Sequence, residues 1–253
     1  LRRQRQMCIR DRYNIVDRIY IARIPEIGTA ALGAVGLCFP IIVIITAFSN
    51  LFGTGGAPLF SIFRGKKDPD TAKRIMNTSF TMLCVCAMIL MAVGFLFARP
   101  ILILFGASAE AIVYAYPYMM LYLIGTLPSM IAVGMNPFIN AQGYSSIGML
   151  SVAIGAGTNL VLDPLFIFAL GLGVRGAAIA TVISQCISAS LVLRCMVKDT
   201  GPLHLDLKKM RLHPQAMRQI LRIGLPAGFQ GILFSLSNVV IQSAINSFGS
   251  TVV

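Results

Sequence analysis

Apolar residues in this chain do not alternate with polar ones, as a half-buried strand or an amphipathic helix requires. They gather into long runs such as Leu32–Leu51, Phe80–Ala98 and Gly173–Leu193. A bilayer core of about 30 Å takes about 20 helical residues to cross, and the runs are about that long. Backbone in hydrocarbon must satisfy its own hydrogen bonds, so runs this apolar fold as helices. The pattern predicts a partial helix over 13–24 and helices over 30–62, 72–97, 109–141, 146–171, 174–197 and 216–247. The runs at 30–62 and 109–141 exceed one crossing and are expected to tilt, bend or extend past the bilayer. Gly53, Gly55, Gly56, Pro58, Pro128 and Pro137 mark the expected places of bending. The fold class is all-α, a polytopic membrane helix bundle.

Composition agrees: of 253 residues, 57% are hydrophobic and only 12% charged, against about 25% charged in a soluble domain. A net charge of +12 in a soluble protein would suggest nucleic acid. Here no basic face is interleaved with aromatics, and the lysines and arginines lie between the apolar runs, so nucleic-acid binding is set aside. Arg64, Lys66, Lys67, Lys73 and Arg74 make one basic connection; Arg194, Lys198, Lys208, Lys209, Arg211, Arg218 and Arg222 make another. Counting crossings, both fall on one side, with the uncharged 141–146 turn. The charge-poor connections near Glu26, near Arg99 and Glu110, and near Arg175 fall on the other. The positive-inside rule places the basic side in the cytoplasm. The six cysteines include Cys84-x-Cys86, which lacks metal-ligand spacing, so neither a disulfide framework nor a zinc site is indicated.

A weak internal repeat lays Asp17–Ile21 without gaps over Asn238–Gln242, and at the same offset Ile27-Gly28-Thr29 over Phe248-Gly249-Ser250. Six crossings separate the copies, which gives them one orientation, as in a parallel repeat. The second copy opens on an apolar IGLPAGFQGILF at 223–234, whereas positions 2–13 read RRQRQMCIRDRY. Each arginine at the centre of a span costs about 2.5–3.5 kcal/mol. Residues 1–12 are therefore expected to be either a polybasic tail or, the favoured reading, a foreign segment that leaves the first helix truncated. The end at Val253 also reads as truncation. The expected domains are a bundle over 13–197, a basic cytoplasmic loop over 198–215, and the start of a second bundle over 216–253.

Ionisable residues at membrane depth are the informative ones, and Asp17 and Asp163 are the candidates. Asn159 and Asp163 are four apart and share one helix face, as do Thr181 and Gln185 on the next helix. Carboxylates, an amide oxygen and a hydroxyl form an all-oxygen set that suits Na⁺, and a carboxyl also carries a proton. Two carboxylates in one low-dielectric pocket cannot both ionise cheaply, so one is poised to exchange a proton or Na⁺. Structural roles are open as well: Asp17 paired with Arg18 near the interface, and Asp163 near a helix end before Pro164. Asn136 and Asn140, with Pro137 and Gly143 beside them, either line a cavity or satisfy carbonyls freed by the proline and end the helix. Met119, Met120, Met130 and Met135 form either an adaptable surface for apolar ligands or ordinary packing. His204 and His213 are expected to be solvated loop residues.

Several segments, in this order, resemble the MATE (multidrug and toxic compound extrusion) family: YNIVDRIYIARIPEIG at 13–28, LFGTGGAP at 51–58, LFGAS at 104–108, GMNPFINAQGYSSIGM at 134–149, NLVLDPLFIF at 159–168 and GVRGAAIATVISQ at 173–185. The resemblance implies a twelve-helix transporter of two six-helix lobes related by pseudo-twofold symmetry, of which this chain supplies most of the N-lobe and the first helix of the C-lobe.

 The expected setting is a monomer, multi-pass in the bacterial cytoplasmic membrane. It would work without cofactor and exchange Na⁺ or H⁺ for cationic, amphipathic drugs or toxic organic compounds. In the family an N-lobe cation site uses an aspartate on the first helix, an asparagine and an aspartate four apart on the fifth, and a threonine on the sixth; these match Asp17, Asn159, Asp163 and Thr181. Asn136, Asn140 and Gln185 are the candidate cavity residues. Two alternatives fit less well. A lipid-linked oligosaccharide flippase of the same superfamily needs a strongly cationic cavity, and only Arg18 and Arg23 lie near the aspartates. An intramembrane aspartyl protease needs a Gly-x-Gly-Asp element, whereas Leu162 precedes Asp163 and Pro164 follows it.

Overall fold

The computed structural model describes residues 20–21, 23–24, 28–199, 201, 204–205 and 212–247, with 29–30 and 231–247 described by backbone alone. The described residues are helical throughout, joined by short turns. Helix α1 spans Gly28–Gly65, α2 Pro69–Leu104, α3 Ala109–Ile124, α4 Thr126–Gly134, α5 Asn136–Gln142, α6 Ser145–Pro164, α7 Val174–Lys198 and α8 Pro214–Ser247. The stretches Ala31–Gly65, Pro69–Leu104, Ser145–Ala169 and Val174–Lys198 are long and apolar enough to cross a membrane. Ala109–Ile124 and Thr126–Gln142 are long and apolar enough only when taken together, with a bend of 56° between them. The predicted first helix, most of residues 1–27 and the repeat segment 248–250 lie outside the described residues.

Local chemistry explains where the helices stop. Asp68 caps α2, its Oδ1 accepting from the Thr71 backbone N–H at 3.0 Å, with Pro69 at the first helical position where a missing N–H costs nothing. The Thr71 side chain and backbone N–H hold the Asp68 carboxyl below the usual carboxylate range. Ser108 caps α3 in the same way, accepting from the Ala111 N–H at 3.2 Å. Pro128 has no N–H for the Ile124 carbonyl, and the chain breaks at Gly125; Pro137 is followed back to a second break at Met135. Gly143 ends α5 at φ 99°, a left-handed conformation that glycine adopts without strain. After Pro164 the predicted single helix over 146–171 changes to a π-helical turn, Leu165–Ala169.

The helix α1 runs without a break through Gly53, Gly55, Gly56 and Pro58. The three glycines allow close approach on three sides. A Cβ on Gly53 would lie 2.5 Å from the Gly134 carbonyl oxygen of α4, and one on Gly55 2.5 Å from the Ile220 carbonyl oxygen of α8. One on Gly56 would meet the Phe138 ring and the Ser79 hydroxyl. Small residues let membrane helices approach backbone to backbone, where dispersion contacts are densest.

Two apolar clusters fill the interior. One gathers Phe60, Met76, Leu83, Met130, Met135, Phe138 and Val192; the other gathers Ala34, Cys38, Leu102, Tyr118, Met119, Leu123 and Ala177. Met119, Met130 and Met135 are core residues and Met120 packs against the cluster that holds Met119, so these methionines serve as packing. Large apolar side chains such as Leu96, Leu104, Val161 and Phe229 are more than 60% exposed. That outward apolar surface is the face of a membrane protein, with hydrocarbon as its solvent.

The Arg64 Nη1 donates to the Ala141 carbonyl at 3.1 Å. This bond brings the basic 64–67 connection and the uncharged 141–146 turn to one end of the bundle, as the crossing count predicts. At the end of α7, the His204 Nδ1 lies 3.1 Å from the Val197 carbonyl and 3.0 Å from that of Asp199. His204 is thus tied to a helix C-terminus, where carbonyls lack helical partners, rather than simply solvated.

Candidate functional site

Along α6 the buried positions are Gly148, Ser151, Gly155, Asn159 and Asp163. They recur at three- and four-residue spacing, so one face of this apolar helix is small or polar from end to end. It faces α7, where Ser184 and Ser188 are buried and Thr181 is half-buried. Gly155 leaves room for the Ser188 hydroxyl, which crosses to the Ser151 carbonyl at 3.0 Å. The aliphatic residues of α6 point the other way: Leu160 is 42% exposed and Val161 67%.

At the outer end of this seam, Asn159 and Asp163 are each 1% exposed. The Asn159 Nδ2 donates to the Asp163 Oδ1 at 3.1 Å and reaches the Thr181 Oγ1 at 3.4 Å. One amide therefore joins a carboxylate of its own helix to a hydroxyl of the next. Neighbouring Ser184 turns its hydroxyl back to the Thr181 carbonyl at 2.8 Å. Asn159 presents its NH2, the electropositive edge of the amide, to both oxygens. A cation held by those oxygens would take the place of the NH2, and a half-turn of the amide would add the Asn159 oxygen to its ligands. Aligned oxygens in a low-dielectric setting attract a cation far more strongly than they would in water.

Asp17 lies outside the described residues. Tyr20, three positions later, stands edge-on to Phe168 of the π-turn, with ring centroids 6.4 Å apart. Ile21 is fully buried in the cluster that includes Ala177 and Ala178. Gln185 is half-buried on α7, one turn beyond Thr181.

The other candidates occupy a separate polar cluster at the cytoplasmic end of the seam. The Asn136 Nδ2 donates to the Gly148 carbonyl at 3.0 Å and to the Ser151 Oγ at 3.3 Å. The Asn140 Nδ2 donates to the Asn136 Oδ1 at 3.0 Å. Asn136, 6% exposed, thus ties α5 to α6 across the turn between them. Asn136→Ala is expected to lower stability by about 1–3 kcal/mol, because it strips partners from buried polar groups. Thermal unfolding in detergent checks this, and a loss below about 0.5 kcal/mol would refute the structural weight given to these bonds. Sequence reasoning missed Ser151, Ser184 and Ser188; their signal was the helical spacing of small and polar residues inside an apolar run.

The MatE family model matches residues 6–165 of this chain, which includes Asn159 and Asp163. The chain belongs to the MatE family. Among its relatives, it is 27% identical over 87% of its length to the multidrug export protein MepA of Staphylococcus haemolyticus, strain JCSC1435, and covers 48% of that protein. Two solved structures are similar: a MATE protein in complex with MaD3S, with a TM-score of 0.87, 26% identity and coverage of 97% of this chain and 55% of that one; and a multidrug resistance MATE family transporter of the MOP superfamily in an outward-facing conformation, with a TM-score of 0.84, 26% identity and coverage of 94% and 52%. The chain spans about half the length of the curated relatives it matches. Membership of MatE and the apolar spans together make it a multi-pass membrane protein.

Proposed function

We propose that this chain forms the cation-coupling half of a secondary antiporter that expels cationic or amphipathic organic compounds in exchange for Na⁺ or H⁺. The observation that carries the reading is the Asn159–Asp163–Thr181 cluster, a carboxylate, amide and hydroxyl held together on the buried face of otherwise apolar helices. Polar groups are expensive at membrane depth and need a reason to be there. A family that includes a multidrug export protein and a multidrug resistance transporter supplies the substrate class by likeness. The matching aspartate, Asp17, would complete the site; the contact of Tyr20 with Phe168, five positions beyond Asp163, supports the approach of that segment to this end of α6.

In this reading the cation biases one access state. Asp163 binds Na⁺ or a proton when the site faces the outside and releases it when the site faces the cytoplasm. The energy of the inward gradient is thereby coupled to outward movement of the organic cation. The Asn159 amide follows the exchange, donating to the carboxylate in one state and offering its oxygen in the other.

The test is made on a protein of the relatives' full length that contains this chain, in vesicles loaded with a cationic dye. Imposing a Na⁺ gradient alone, then a pH gradient alone, is expected to drive dye efflux under at least one of the two. Efflux that follows neither gradient would sink the antiport reading.

A further inference from the structure

Arg74 of α2 and Arg218 and Arg222 of α8 come from distant parts of the chain, and helix packing brings them to one level of the bundle. The Ser79 Oγ donates to the Phe52 carbonyl at 2.8 Å, which sets α2 against α1. A Cβ on Gly55 would lie 2.5 Å from the Ile220 carbonyl oxygen, and one on Gly228 3.7 Å from the Leu51 Cβ, which sets α8 antiparallel to α1. Helices α2 and α8 also pack on each other. Each residue advances about 1.5 Å along its helix. Counted from these fixed points, Arg74 and Arg218 stand at about the level of Pro58, and Arg222 stands one turn further in. All three are exposed. Among the described residues none of them makes an ion pair or a hydrogen bond. The nearby acids do not serve them. Asp68, whose carboxyl feels the Arg74 charge, is taken up by the Thr71 N–H at the start of α2. Asp70, four positions before Arg74, forms no ion pair with it.

What lies beyond the arginines decides the class of partner. Passing inward along α8, Arg218 and Arg222 give way to Leu225 and Phe229, 56% and 62% exposed. Passing inward along α2, Arg74 gives way to Val85, Met88 and Ile89, each about half-exposed. Cations followed by outward apolar surface repeat the order of a phospholipid, headgroup phosphate first and acyl chains beneath. A soluble polyanion would match the arginines and leave the apolar surface bare. The structure assigns Arg74, Arg218 and Arg222 to a binding site for an anionic phospholipid, whose chains lie on the apolar surfaces of α2 and α8. Each guanidinium offers phosphate oxygens a planar fork of N–H donors, and its stem lies along apolar surface while the head stays at the polar boundary. A zwitterionic headgroup carries a cation of its own, which three unpaired arginines repel. Net negative charge is therefore what distinguishes the ligand. The site goes beyond the antiport reading and does not rest on it, since lipid binding needs no ion gradient.

The test uses a cysteine-free protein of the relatives' full length that contains this chain, with Leu225→Cys carrying a fluorophore beside Arg222. It is reconstituted in phosphatidylcholine vesicles in which a rising fraction of the lipid has brominated chains. The brominated lipid is phosphatidylglycerol in one series and phosphatidylcholine in the other. Half-maximal quenching is expected at about a ten-fold lower mole fraction of the anionic lipid. Arg74→Gln, Arg218→Gln and Arg222→Gln should each cut that preference by about two-fold, and the triple variant should abolish it. Lysine at all three positions keeps the charge and should keep most of the preference. Arg99→Gln, exposed near the other end of α2, should leave it unaltered. Helix content confirms folding, and the single variants decide the matter should the triple variant not fold. Equal quenching by the two lipids overturns the assignment and points to an acidic segment of the full-length protein seated on the arginines instead. A preference that survives all three single variants overturns it as well. Excess inorganic phosphate should leave the quenching in place; relief of quenching would mean a site for the free ion, and the lipid assignment would fall.

Discussion

Asp163→Asn is expected to abolish gradient-driven efflux, by at least 100-fold in initial rate, while the protein still inserts and keeps its helix content. The substitution preserves shape. An asparagine oxygen at 163 can still accept the 3.1 Å bond that Asn159 now gives to the Asp163 Oδ1. Only the negative charge and the titratable proton are lost. A hydrogen bond to a charged group contributes about 1.5–3 kcal/mol, against about 1 kcal/mol for a neutral one, and the direct attraction for a cation disappears altogether. Folding should suffer little, since replacing a buried charge with a neutral group of the same volume is often neutral or stabilising. Asp163→Glu keeps the charge but moves it by one methylene in a site that is 1% exposed; it should retain partial coupling with altered ion affinity. Asn159→Leu tests the other half of the pair. It removes the donor shared by Asp163 and Thr181, and both coupling and stability should fall. Dye efflux and thermal unfolding, measured on the same preparations, separate the two effects. Coupled efflux in Asp163→Asn within two-fold of wild type would remove this carboxylate from the mechanism.

How far such a site can be read without coordinates depends on whether its parts share one helix. Asn159 and Asp163 lie four apart in an apolar run, and helix geometry alone places them on one face. The approach of Thr181 is a relation between two helices; no spacing encodes it, and likeness to a family supplied it. Asn136 shows the same limit. Its proline neighbour suggested either a cavity or a helix end, but its partners, the Gly148 carbonyl and the Ser151 hydroxyl, lie beyond a turn whose direction the sequence does not state. Helix extents were more legible, because the apolar runs set them and the predicted 174–197 differs from Val174–Lys198 by a single residue at its end. The breaks were half legible. Pro128 marked the bend at Gly125 correctly, whereas the close approach of other elements at Gly53, Gly55 and Gly56 was not legible. A sequence shows that a glycine has no side chain; it does not show what stands opposite.

That difference has a measurable consequence for stability, and its sign depends on the neighbour. Gly53→Ala is expected to destabilise the bundle by about 2–4 kcal/mol, because the new Cβ falls 2.5 Å from the Gly134 carbonyl oxygen, which is backbone in the middle of a packed helix pair and cannot yield without moving α4. Gly94→Ala should cost less: its Cβ meets the two terminal methyls of Leu123 at 2.6 and 2.9 Å, and a leucine end can rotate. Gly157→Ala reverses the sign. Nothing stands within 4 Å of a Cβ there, the position is exposed, and it lies inside α6. Alanine restricts the unfolded backbone and favours the helix, so the gain should be about 0.5–1 kcal/mol. Thermal unfolding in one detergent ranks the three. If Gly53→Ala matched Gly157→Ala, the helix pair α1–α4 would be looser than its backbone spacing implies, and the close approach that holds LFGTGGAP at the centre of the bundle would carry little of its stability.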